Sequence, residues 1–258
     1  MVMTTFKDFI NKFRHYFRFS KEEIEACIIS VLVVAFIVSF DEWGYGSNFD
    51  LNVGLINFLR AIVIVGLVIG TQILVIKTQA IQWGYRAEFK LWWYGILIGL
   101  VLCFLTGSFT NDLGKAAILW FLAPGGIFFH HLATHRLGWF RYGVNMMETG
   151  LCALLGSLST IILAIIFKFL LYFLPGNPFL EKAVIVSLWY AFFSLLPIPP
   201  LNGSRIFFWS RLSYVFLCVT FLAGTLLIRL NINLLITIII SFIIGFAVWF
   251  IYYVKVEK

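Results

Sequence analysis

Phe128-Phe129-His130-His131-Leu132-Ala133-Thr134-His135-Arg136 and Ser194-Leu195-Leu196-Pro197-Ile198-Pro199-Pro200-Leu201-Asn202-Gly203 interrupt an otherwise apolar chain. Each closes a strongly apolar segment. Histidine at membrane depth is costly and needs a reason. On a helix, His131 and His135 would lie one turn apart on the same face. That is the spacing of the zinc-binding pattern H-E-x-x-H. Leu132 stands where the pattern has its glutamate. In the second stretch, Pro197, Pro199 and Pro200 cannot continue a helix, so an extended, irregular segment is expected. Irregular backbone near membrane depth is tolerated only where protein or a water-filled cavity covers it.

The rest of the chain supplies the membrane. Of its 258 residues, 62% are hydrophobic and 12% charged, against roughly 45–50% and 25% in soluble domains. A soluble core of this length could not bury that much apolar surface. In lipid the backbone must satisfy itself, so the spans are helices or a closed barrel. The apolar runs are continuous rather than alternating, which selects helices. Stretches of spanning length fall at roughly 24–40, 55–76, 91–108, 116–137, 149–174, 182–198, 211–229 and 232–254. The expectation is an all-α polytopic membrane protein with about eight transmembrane helices.

Residues 1–20 form a basic amphipathic segment. Phe6, Phe9, Ile10, Phe13 and Phe17 recur at helical spacing among Lys7, Lys12, Arg14 and Arg18. Such a segment can lie among lipid headgroups or serve as an ordinary positive flank. Ser20 and Glu23 make a capping box that starts the first span. Residues 21–258 read as a single transmembrane domain, without fixed-period repeats. No cleavable signal is expected, because the first apolar run is long, starts late and lacks a small-residue cleavage site.

The net charge of +7 is a membrane-orientation signal, not a nucleic-acid one. With the N-terminus in the cytoplasm, most Lys and Arg fall on the inner side, Lys77, Arg86, Lys90, Arg136, Arg141, Arg205 and Arg211 among them. Only Arg60, Lys115, Lys182 and Arg229 fall outside. This bias places both termini in the cytoplasm. It also puts both motifs in the cytoplasmic half, with His131 roughly 10 Å inside the boundary at about 1.5 Å per residue. Pro124-Gly125-Gly126 would kink the fourth span. Cys27, Cys103, Cys152 and Cys218 stand singly in apolar segments and read as packing residues. Glu148 reads as an interfacial flank, Lys168 as a snorkelling side chain, and Gly150 and Gly156 as close-packing positions. His130 points to another face than His131.

These residues resemble the site-2 protease family of intramembrane zinc metalloproteases. The family carries H-E-x-x-H on one membrane helix and an N-x-x-P-x-P-P-L-D-G type segment on a later one. His131 and His135 match the first. Pro197, Pro199, Pro200, Leu201 and Gly203 match the second, with Asn202 in place of the aspartate and Ser194 in place of the asparagine. The resemblance implies a site-2-protease-like core. It implies a zinc site at His131, His135 and Asn202, and substrate binding along Pro197, Pro199, Pro200 and Gly203. In such a site zinc keeps one position open for water, and a carboxylate takes that water's proton. Leu132 can take no proton, which typically costs about 10²–10⁴ in rate. Asn202 offers a neutral amide oxygen, or it caps the turn that follows.

Three functions stay open on the sequence. The first is a non-proteolytic pseudoprotease, without catalytic residues, that binds transmembrane or unfolded segments of partner proteins; on this reading the chain is not an enzyme. The second is an active zinc metalloendopeptidase performing intramembrane proteolysis with a replacement base. The third is a transporter or channel, against which stand the few intramembrane polar residues and the lack of an inverted repeat. The expected partners are the lipid bilayer and membrane-protein helices, with no nucleic acid.

Overall fold

The computed structural model describes residues 6–45, 48–107, 120–132, 144–229 and 234–257. In chain order it runs α1 (Phe6–Tyr16), α2 (Lys21–Ser39), a short hairpin of β1 (Gly44–Tyr45) and β2 (Asn48–Phe49), then α3 (Leu51–Gln82). Next come β3 (Tyr85–Leu91), α4 (Trp93–Gly107), β4 (Gly125–His131), α5 (Met146–Phe173) and α6 (Pro178–Ser194). Helices α7 (Asn202–Trp209), α8 (Arg211–Arg229) and α9 (Leu234–Tyr252) complete it, with a π-helical end at Tyr253–Glu257.

Side-chain caps set where the helices begin, because the first N–H groups of a helix have no partner within it. Ser20 Oγ accepts from Glu23 N at 3.2 Å. Asp50 Oδ1 accepts from Asn52 N at 2.9 Å. Asn145 and Asn177 do the same for α5 and α6, accepting from Met147 N and Phe179 N at 3.0 Å each.

Helix α3 is the axis of the packing. Ile64, Val65, Val68, Ile69 and Ile76 are buried in the main core, against α2, α5 and α6. Small residues on α5, namely Ala153, Gly156, Ser157 and Thr160, are buried where the neighbouring helices come close. Helices in lipid are held by such contact, because lipid tails are as apolar as leucine.

Among the described residues, Leu51–Gln82, Met146–Phe173, Arg211–Ile228 and Leu235–Val256 are long and apolar enough to cross a membrane. These helices make the chain an integral membrane protein. Helices α2 and α6 also stand where spans are expected. The first opens with Glu22, Glu23 and Glu25, and the second has 17 residues.

The helix expected over 116–137 is a correction. Its described part is extended and ends in β4, which pairs antiparallel with β3 from Tyr85↔His131 to Leu91↔Gly125. Pro124-Gly125-Gly126 ends any helix before it, and Ile127-Phe128-Phe129 then favours a strand. The chain therefore returns beside its starting point. Trp92 N donates to Pro124 O at 2.9 Å, just before α4 begins. Because β3 and β4 pair along their length, the segments before α4 and before α5 lie side by side.

The register decides where the sheet edges point. Glu88↔Phe128 and Arg86↔His130 alternate with Phe89↔Ile127 and Ala87↔Phe129. The second set turns its backbone groups outward. On one edge Phe89 N donates to Glu23 Oε1 of α2 at 3.1 Å. On the other, Ile127 O accepts from Arg205 Nη2 of α7 at 2.7 Å. The two-stranded sheet is thus wedged between α2 and α7.

Candidate functional site

The proline-rich stretch folds as the sequence requires. Helix α6 ends at Ser194, and α7 starts at Asn202 after a turn closed by Leu201 N donating to Ile198 O at 2.8 Å. The Pro199–Pro200 peptide is cis. Two glycines permit this turn to pack. A Cβ on Gly203 would strike the Leu195 and Leu196 carbonyls, and one on Gly126 would strike the Pro200 carbonyl. So β4 presses directly on the turn.

Behind that contact lies a small recess lined by Gln72, Phe89, residues 122–127, Tyr190, Ser194, Leu201 and Asn202. Its space open to a water's centre is ≈ 10 Å³, enough for about one water. Tyr190 Oη donates to Gln72 Oε1 at 2.7 Å. Asn202 Nδ2 donates to Ser157 Oγ at 3.5 Å. Gln72 Nε2 is buried and has no hydrogen-bond partner among the described residues. Gln72 of α3, Tyr190 of α6 and Asn202 of α7 thus line the recess, and Ser157 of α5 stands behind Asn202. All four are neutral amides or hydroxyls.

Arg205 closes one side. Besides its bond to Ile127 O, its guanidinium lies 4.9 Å from the centre of the Phe129 ring. Burial holds its pKa below the ordinary guanidinium value.

The sequence-derived candidates divide. Asn202 lines the recess, beside the turn that carries Pro197, Pro199 and Pro200. Gly203 is packed under Leu195. His131 is the last residue of β4 and not part of a helix, a correction that follows from the strand pairing. It lies five residues along the strand from Gly126, roughly 16 Å at about 3.3 Å per residue. His131 does not line the recess. Its ring packs on Tyr85, with centroids 5.1 Å apart. Leu132 follows the strand and donates its N–H to Gly84 O at 3.0 Å. His135 and its neighbours at 133–143 lie outside the described residues. Among the described residues, no three His, Cys, Asp or Glu side chains come together in a group able to hold a metal ion.

Beside His131, Tyr85 Oη donates to Glu148 Oε2 and accepts from Asn145 N at 3.4 Å. Burial pushes the Tyr85 pKa up, and its hydrogen bond to the Glu148 carboxylate adds to that. His130 faces the other way, 3.8 Å from Glu88.

The sequence reading passed over Gln72 and Tyr190. The available signal was Gln72 itself. A glutamine in the middle of an apolar run of spanning length is an intramembrane polar residue, and such residues mark sites. Ile76 lies one turn further along α3. Both side chains meet Gly156 of α5, so the two positions share the α3 face packed against α5.

An integral membrane protein built of long helices, with a polar recess buried against a proline-rich turn, is the class these features define. The chain is 30% identical over 198 residues to a curated protein of Methanocaldococcus jannaschii named "Putative zinc metalloprotease MJ0611". The match covers 75% of this chain and 87% of that protein. The chain therefore belongs to the same metalloprotease-like family as that protein. No family model matches it, and no solved structure matches it.

Proposed function

We propose that the protein is a non-proteolytic member of this family, of site-2 protease type, which holds transmembrane or unfolded segments of membrane-protein partners. One observation carries the reading. Among the described residues, the polar side chains that line the recess at the proline-rich turn are Gln72, Tyr190, Ser194 and Asn202, none of which is an imidazole, thiolate or carboxylate. Zinc sites are built from Cys, His, Asp and Glu, so this donor set does not fit the metal. A neutral amide cannot take the proton of an attacking water. No hydrolytic step is assigned to these residues. Both termini lie on the cytoplasmic side, as the distribution of Lys and Arg requires. That distribution puts the recess near the inner leaflet, within reach of partner helices.

The name of the relative favours a second reading, an active zinc metalloprotease. On that reading His131 and His135 recruit a third ligand and a replacement base. Full-length protein in lipid vesicles distinguishes the two. It is given a model transmembrane substrate carrying a photo-crosslinker, and its metal content is measured in parallel. The expected result is crosslinking to the segment around Ile198, no cleavage, and no bound zinc. A Gln72→His, Ile76→His, Asn202→Asp variant is expected to gain zinc, because two imidazoles one helical turn apart and a carboxylate form a ligand set. Cleavage by the native chain that stops with a chelator or with His131→Ala would overturn the proposal.

A further inference from the structure

A second cavity lies apart from the recess, between α5 and the α8–α9 hairpin. The hairpin is anchored at one end. Leu217 and Phe221 of α8 pack with Ala153, Ala191, Leu195 and Ile206, and Tyr214 Oη donates to Leu195 O at 3.1 Å. Beyond that anchor α8 and α9 stand off from α5, and a cleft opens of ≈ 140 Å³. Its walls include Leu158, Ile161 and Ile165 of α5, Gly224 and Ile228 of α8, and Thr237 of α9.

Interiors leave few voids larger than a water. An apolar void of about 150 Å³ stays dry and takes up apolar molecules. Shape narrows the occupant. The α8 residues that line the cleft run from Phe216 to Ile228, about 18 Å of helix at about 1.5 Å per residue. A long, narrow, apolar slot fits a hydrocarbon chain better than a compact ligand.

Two buried hydroxyls without a partner among the described residues line the slot, Thr220 on α8 and Thr237 on α9. Thr237 is 2% exposed, and its buried hydroxyl has no hydrogen-bond partner among the described residues. Threonine in a helix usually bonds back to a carbonyl one turn earlier, as Thr71 and Thr78 do here. Thr237 is three residues from the start of α9, about 5 Å along its axis. At that depth a membrane lipid presents the ester oxygens that join its acyl chains to the headgroup.

We propose that this cleft is a lipid site. One acyl chain of a glycerolipid fills the slot between α5 and α8, and an ester oxygen accepts from the Thr237 hydroxyl. The site is separate from the recess, so its test does not depend on the function proposed above.

Purified full-length protein in detergent is titrated with a phosphatidylcholine bearing a diazirine in one acyl chain. Retained lipid is counted by native mass spectrometry, and crosslinks are mapped by peptide sequencing. The expected result is one saturable lipid per chain, crosslinked to α5 and α8 peptides inside the cleft. Thr237→Val is nearly isosteric and is expected to weaken retention about five-fold, as loss of one hydrogen bond would. Ile161→Trp, which fills the slot, is expected to abolish saturable retention, and its thermal melting shows whether the fold has survived. Three results overturn the proposal. They are labelling only on outward α9 residues such as Ile239 and Phe250, retention that neither substitution changes, and crosslinks to another protein helix in place of lipid.

Discussion

Lys77 and Glu23 form an ion pair of 2.6 Å, with side chains 4% and 1% exposed. Lys77 Nζ also donates to Arg18 O at 3.0 Å and lies 3.9 Å from the centre of the Phe19 ring. Glu23 Oε1 takes the outward N–H of Phe89. The pair therefore joins the segment after α1, the start of α2, the end of α3 and the edge of β3. At this separation and an effective dielectric of about 20, the attraction is about 6 kcal/mol. Desolvation costs several kcal/mol per ion, so the net worth of the pair is small. Breaking it is another matter. Lys77→Met leaves a buried carboxylate uncompensated, which typically costs about 3–5 kcal/mol. For a chain of this size that lowers the melting temperature by about 10 °C. Glu23→Met strands the ammonium and should cost a similar amount. In the double variant both charges are gone, and what remains lost is the acceptor for Phe89 N–H, about 1–3 kcal/mol, and the donor to Arg18 O, a part-buried carbonyl that costs less. The double change should therefore be milder than either single one. Tryptophan fluorescence during thermal unfolding in detergent measures all four members of the cycle. If the two single losses simply add in the double variant, the pair is not coupled and the reasoning fails.

Three further outcomes follow from the same geometry. Tyr190→Phe removes the donor to Gln72 Oε1 and should cost about 1–3 kcal/mol. Gln72→Met should cost less, because it also removes the unpartnered Nε2; thermal melting compares them, and equal losses would contradict this. Gly126→Ala drives a methyl into the Pro200 carbonyl and should cost about 1–3 kcal/mol, as overpacking does; an unchanged melt would mean that β4 does not press on the turn. Tyr85 has a folded pKa raised above its ordinary value by burial and by Glu148. Its contribution is constant below about pH 10. Above that, the unfolded chain loses the proton first, so stability falls as pH rises toward the folded pKa. Tyr85→Phe should lessen that alkaline loss in chemical-denaturation curves, and parallel curves for the two proteins would remove the assignment.

Helix positions were legible because continuous apolar runs admit few alternatives. Ser20 marked the start of α2, whereas α3, α5 and α6 begin three or four residues before their expected spans, at caps Asp50, Asn145 and Asn177 that the apolar runs do not reveal. The proline-rich turn was legible for the same reason, since Pro197, Pro199 and Pro200 forbid a helix whatever surrounds them. The segment around His131 was not. Ile127-Phe128-Phe129 is apolar enough for either a span or a strand, and periodicity cannot separate the two in so short a run. What decides is pairing with Tyr85–Leu91, a non-local fact. The histidine spacing then matched a helical pattern on a segment that is a strand through His131. Gln72 went unread for the opposite reason. It matches no motif, and only the folded arrangement brings it to Tyr190 and near Asn202.

The contacts that shape the recess are separable from the groups that furnish it. Gly126 against Pro200, Gly203 under Leu195, and Arg205 on Ile127 O fix the turn, the strand and α7 through backbone atoms. The Glu23–Lys77 pair fixes the opposite edge of the same sheet. None of these contacts needs a metal or a charged group inside the recess. Asn202 itself makes one long hydrogen bond, at 3.5 Å to Ser157, so little of the fold hangs on its chemistry. A scaffold held in this way can lose ligands and a base without losing its shape, which makes a non-proteolytic relative physically viable.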